Sequence, residues 1–143
     1  MVPEPSQRAL ERGIRALSRR ELSEVELRAR LERAGVDADE VEAVVTHLRE
    51  VGYQSDERTA HERARVLAAR DLGDAAIRAD LESRGLGEGT VATAVAALPP
   101  EAERAQRVAT RLSGEKLVRT LQRKGFGSDT IEGVVGAGVA DRV

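Results

Sequence analysis

The sequence has no cysteine and no tryptophan, one phenylalanine and one tyrosine. The lack of cysteine excludes disulfides, thiolate metal ligands and a cysteine nucleophile, and it suits a reducing compartment. The lack of aromatics leaves any core to Ala, Val, Leu and Ile and provides no platform on which single-stranded bases could stack. Long apolar runs are missing as well. No window approaches the roughly 20 residues of a membrane span, and the opening "MVPEPSQRAL" has no positive segment followed by an apolar one. A cytoplasmic location and no membrane partner are therefore expected. Charge of one sign is also scarce: Lys and Arg number 23 against 25 Asp and Glu, a net charge of −2. Such a balance exerts no strong pull toward nucleic acid, so any basic contact must be local.

What the 143 residues do contain is repetition. "LERAGVDADEV" at 31–41, "LESRGLGEGTV" at 81–91 and "LQRKGFGSDTI" at 121–131 align without gaps. They bring Leu31, Leu81 and Leu121 together, then Gly35, Gly85 and Gly125, then Val36, Leu86 and Phe126, then Val41, Val91 and Ile131. Upstream, Leu27, Ile77 and Leu117 share one column and Leu22, Leu72 and Leu112 another. Apolar positions 41, 44, 45 and 48, then 91, 94, 95 and 98, then 131, 134 and 135 paint one stripe on a helix, with Gly138 standing where a fourth apolar residue of the last set would fall. Ser23 with Glu26, and Asp37 with Glu40, fit capping boxes. Each repeated glycine precedes an apolar residue, as expected where a left-handed glycine ends a helix and the next side chain folds back. Gly52-Tyr53 repeats this theme, which predicts that Tyr53, like Phe126, is buried.

A further helix precedes each pair. Its buried stripe is expected at Leu10, Ile14 and Leu17, then at Ala60, Ala64 and Leu67, then at Ala105, Val108 and Leu112, with Pro99-Pro100 setting the last start. The fold class expected is all-α: three tandem three-helix, helix-turn-helix-like repeats in an elongated, curved array, at 6–53, 55–98 and 99–138. Residues 1–5 and 139–143 are expected to be flexible termini. Glycines 133, 136 and 138 each cost roughly 1 kcal/mol in a helix interior, so the last helix is expected to fray. Bundles of this size are marginal alone and gain stability by stacking.

Catalysis needs convergent groups of tuned pKa. His47 and His61 have no partner at metal-ligand spacing, and the serines lie in caps and turns. "RGLGEGT" lacks the strand and the Gly-Lys-Ser/Thr of a phosphate loop. No enzyme, cofactor or metal is expected. A helix that reads DNA should be basic, yet residues 37–50 sum to −4, 88–98 to −1 and 128–138 to −2. Positive charge gathers instead at 6–21 and 113–124, each +3. The candidate partner-binding residues are Arg19, Arg20, Arg70, Arg84, Arg119, Arg123 and Lys124; Arg20 and Arg70 precede Leu22 and Leu72, and Arg84 and Lys124 precede turn glycines. On the residues alone, a DNA-binding protein using 6–21 and 113–124 and a generic helical scaffold for another protein both stand.

Arg19-Arg20 before Leu22-Ser23, Glu26-Leu27, Leu31 and Gly35, then Gly52-Tyr53 with Asp56 and Ala60, then Ile77, Leu81 and Gly85, resemble the RecX family of regulatory proteins. "RKGF" at 123–126 repeats the theme, and the resemblance runs from about residue 9 to 136. Where that family commonly has two aspartates and then an aromatic, this chain reads Ser55-Asp56 and Thr59. The resemblance implies an all-helical protein of three tandem three-helix repeats that lies in the groove of the RecA filament on single-stranded DNA and touches neighbouring subunits; a monomer is expected. It also implies inhibition of filament growth, ATP hydrolysis, strand exchange and co-protease activity.

Overall fold

The computed structural model describes the backbone of residues 3–141 and the side chains of 3–138. Of the termini expected to be flexible, 1–5 and 139–143, residues 1–2 and 142–143 and the side chains of 139–141 lie outside the described residues. Among the described residues nine helices follow in order: α1 (Gln7–Arg19), α2 (Glu24–Arg33), α3 (Ala38–Glu50), α4 (Asp56–Ala69), α5 (Asp74–Ser83), α6 (Glu88–Ala96), α7 (Glu101–Ala109), α8 (Gly114–Arg123) and α9 (Ser128–Asp141). No strand occurs among the described residues, and no helix among them is long and apolar enough to cross a membrane. Extensive helix packing stays within three trios, α1–α3, α4–α6 and α7–α9. Each trio encloses its own cluster: Leu22, Leu27, Leu31, Val41, Val44, Val45 and Leu48; Ala60, Ala64, Leu67, Ile77, Leu81, Val91 and Ala94; and Ala105, Val108, Leu121, Phe126, Ile131 and Val134.

The turn chemistry explains where the helices end. Gly35, Gly85 and Gly125 have φ of 84°, 81° and 87°, a region that costs an L side chain strain. Around each, two amides fold back onto the helix just finished, as Val36 N–H on Leu31 O at 3.1 Å and Gly35 N–H on Glu32 O at 3.0 Å illustrate. These bonds satisfy carbonyls that a helix end leaves open. Ser23 forms the expected reciprocal box with Glu26.

Three local expectations are corrected. Asp37 makes no cap bond from its side chain; its intended partner Glu40 accepts instead from the Ser6 hydroxyl at 2.6 Å and fastens the start of α1 to α3. Tyr53 is 57% exposed, because the return bond to Leu48 O comes from Gln54 N–H, one residue later. Gln54, not Tyr53, is therefore the buried residue. In α1 the inward face is Ala9, Gly13 and Ala16, with Ile14 36% exposed and Leu10 and Leu17 only partly covered. A Cβ at Gly13 would lie 2.7 Å from Val44 and 2.8 Å from Leu48. Close approach of α1 to α3 thus selects small residues and rotates the larger ones outward.

Consecutive trios meet through polar joints. At the first, Ser23 Oγ donates to Arg84 O, Glu24 N–H to the Asp56 carboxylate at 2.8 Å, and Thr59 Oγ1 to Leu22 O at 3.1 Å. At the second, Gly73 N–H donates to Lys124 O at 2.8 Å and Asp74 N–H to Glu101 at 2.9 Å. Glu101 also accepts from Gly127 N–H at 3.4 Å and Thr130 Oγ1 at 2.6 Å, so one carboxylate joins α5 to the start of α9. Asp56 and Glu101, each the first residue of its trio, play the same part: an anion placed on the preceding trio's helix N-terminus, where free N–H groups favour it. Among the described residues no hydrogen bond or ion pair links the first trio to the third, which leaves the trios in a line.

Candidate partner-binding face

The seven candidate cations divide into two groups. Arg19, Arg20, Arg70, Arg119 and Arg123 are exposed, and no salt bridge engages them among the described residues. Arg19 is the last residue of α1 and Arg20 its C-cap in extended backbone, while Arg70 caps α4. Arg119 and Arg123 lie on α8.

Arg84 and Lys124 occupy the joints instead. The Arg84 guanidinium bonds Asp80 at 2.9 Å within α5 and Glu26 at 3.2 Å across the first joint, with its side chain 21% exposed. Lys124 Nζ reaches Arg70 O at 3.2 Å across the second. Each is the C-cap residue whose carbonyl receives the preceding trio. The equivalent residue of the first trio is Ala34, the C-cap of α2. Cations therefore stand in this column where a joint exists and are absent where none does.

Burial lifts the Asp80 carboxyl, but hydrogen bonds from Arg63 and Arg84 and their positive charge outweigh it, leaving Asp80 below the usual carboxylate range. Burial likewise lowers Arg84, and the carboxylates of Asp80 and Glu26 more than restore it, so that it ends above its ordinary value. A depressed acid contributes stability above its unfolded pKa and loses it as pH falls through the folded one. Acid denaturation of the parent is thus expected to be steeper below the ordinary Asp range than that of Asp80→Asn. Parallel slopes in urea titrations at several acid pH values would refute the assignment.

Local sequence reading did not single out the cleft between α1 and α2. Arg12, Arg15, Arg19 and Arg30 line it over a floor of Ala16, Leu31 and Ala34. Arg12 donates to Ala34 O at 3.0 Å, while Arg15, Arg19 and Arg30 have no ion-pair partner among the described residues. Arg28, also on α2, is by contrast held by Glu42 at 2.6 Å and Glu24 at 3.1 Å. The hydrogen bond from Arg28 lowers Glu42 and the bond from Glu42 raises Arg28. The i, i+3, i+7 spacing of Arg12, Arg15 and Arg19 is legible in the sequence; Arg30 joins them only through the packing of α2. Among the described residues no group of three or more His, Asp or Glu is placed to hold a metal ion.

Comparison with known proteins agrees with the geometry. The family described as RecX, first three-helix domain, matches residues 9–48. Over 53 residues the chain is 49% identical to the regulatory protein RecX of Syntrophotalea carbinolica, a stretch covering 37% of this chain and 35% of that protein. The sequence match thus spans about a third of that relative's length. The fold is similar to the crystal structure of RecX from Lactobacillus salivarius, with a TM-score of 0.82 and 17% identity over 91% of this chain and 94% of that one. A crystal structure of regulatory protein RecX aligns with a TM-score of 0.78 and 24% identity, covering 89% and 71%. The first trio thus matches the first three-helix domain of the RecX family, and the helical-repeat fold as a whole is similar to that of the two RecX structures.

Proposed function

We propose that this protein is a cytoplasmic, non-enzymatic regulator that binds the RecA filament on single-stranded DNA as a monomer and inhibits its ATPase, recombinase and co-protease activities. The observation that carries this reading is the serial arrangement of three trios bearing exposed, unneutralised cations at both ends, Arg19 and Arg20 on the first and Arg119 and Arg123 on the third. Such a body can engage several neighbouring units of a polymer at once. Each contact then raises the effective concentration of the next, so modest pairwise interactions add up to tight binding. Arg84 and Lys124 serve this function through the joints, and Arg19, Arg20, Arg70, Arg119 and Arg123 are the side chains assigned to the partner.

Titrating the protein into RecA turning over ATP on single-stranded DNA tests the reading; the rate is expected to fall to a plateau. The variant Arg19→Glu/Arg20→Glu/Arg70→Glu should keep its helical circular dichroism yet need roughly tenfold more protein for equal inhibition, equivalent to about 1.4 kcal/mol. An unaffected ATPase with the parent protein would refute the proposal. A second reading, direct DNA binding, is favoured by the cleft of four arginines with no carboxylate in its lining. It requires binding to naked DNA that weakens steeply as salt rises, and a flat salt response would dispose of it.

A further inference from the structure

The two joints repeat one pattern, and that pattern leaves an unused half at each end of the molecule. In both joints the N-cap residue of a trio's second helix, Ser23 or Gly73, bonds the C-cap carbonyl of the next trio's second helix, Arg84 or Lys124. In both, a small apolar side chain then sits on the turn glycine. A Cβ at Gly85 would lie 2.6 Å from Val25, and one at Gly125 would lie 2.5 Å from the Ala76 methyl. In both, the first residue of the next trio supplies a carboxylate, Asp56 or Glu101.

The corresponding unused N-cap is Ser113, exposed and making no side-chain cap bond. The unused acceptor face is Ala34 with Gly35, whose missing Cβ faces open space. Both halves belong to one chain, so a second copy could add head to tail, and such a contact, not being self-complementary, would propagate into an open fibre.

The N-cap serine and the turn glycine are kept at these free ends, but three other elements of the joint are altered. Arg12 already fills the Ala34 carbonyl at 3.0 Å. The columns that hold Val25 and Ala76 hold exposed Glu115 and Lys116 in the third trio. The trio-starting carboxylate is Gln7 in α1. We infer that Arg12, Glu115 and Lys116 are end guards: the terminal faces are docking surfaces for a second copy of this chain, kept closed by these residues so that the array stops at three trios. A repeat array stays soluble when its terminal units present polar outer faces, and burying an unpaired charge against a turn glycine is strongly unfavourable.

Sedimentation velocity over a range of concentrations tests this with the full chain. The parent should sediment as a monomer throughout. Gln7→Glu/Arg12→Ala/Glu115→Val/Lys116→Ala should rise in mean mass with concentration to that of a dimer and beyond. Adding Gly35→Asn, a residue that tolerates the left-handed region, should return it to monomer by placing a side chain where the incoming helix must sit. Should the fourfold variant not fold, Arg12→Ala/Lys116→Ala is measured instead and should also self-associate, at higher concentration. A folded variant that stays monomeric, association that survives Gly35→Asn, or a parent that itself polymerises would overturn the inference.

Discussion

Gly73→Ala is expected to unseat the third trio from the second and to lower stability by roughly 2–4 kcal/mol, combining overpacking with a lost hydrogen bond. A Cβ at this position would lie 2.4 Å from the backbone C and O of Gly125 and 2.5 Å from Phe126 N. Those are main-chain atoms of a tight turn and cannot swing aside as a side chain would. Relief requires the two trios to part, which breaks the Gly73 N–H to Lys124 O bond and withdraws Ala76 from Gly125. Because each trio keeps its own cluster, the cores survive. Calorimetry should therefore show the single transition of the parent shifted down by on the order of 10 °C and broadened or split in two. A variant melting with the parent's cooperativity and midpoint would show that the joint does not couple the trios. At the first joint the same column holds Ser23, whose hydroxyl spans a gap that the Gly73 backbone closes directly.

Asp74→Ala is expected to cost about 3–5 kcal/mol, while Arg104→Met costs little and restores most of the loss when combined with it. Arg104 is 2% exposed, its guanidinium pairs with Asp74 through Nη2, and its Nε and Nη1 have no hydrogen-bond partner. Removing Asp74 strands a buried cation. Removing Arg104 instead substitutes an unbranched apolar side chain that needs no partner and leaves Asp74, one-third exposed, in contact with water. A double-mutant cycle by urea denaturation measures the asymmetry. Equal losses from both single variants would indicate that Arg104 acts by packing rather than as a buried charge.

Part of the local grammar is legible in the sequence: the glycines that must be left-handed, the Ser23–Glu26 box, and most of the apolar stripes of α3, α6 and α9, with Leu98 falling beyond α6 and only half-buried, because each depends on residues within a turn or two. What was not legible depends on meetings across tens of residues. Glu40 had the right spacing from Asp37 but is taken by Ser6, 34 residues away. Ile14 and Leu17 fit a helical stripe as well as Gly13 and Ala16 do; only the closeness of α3 decides between them. Arg84 looked like a solvent-facing contact because Glu26, its partner, lies 58 positions earlier. One signal was available: Ala34, Arg84 and Lys124 share a column, and the difference between the first and the other two marks which turns receive a neighbour. Thr59, a departure from the family pattern, sits buried with its hydroxyl on Leu22 O, so it serves the first joint.

On the proposed function, three separately cored trios bind the filament as one connected body. Measuring the affinity of the parent and of folded Gly73→Ala for RecA filaments on single-stranded DNA tests it most directly. Uncoupling one joint should weaken binding by at least about tenfold, as contacts stop sharing a single rigid frame. Unchanged affinity in a variant whose second joint has opened would contradict it.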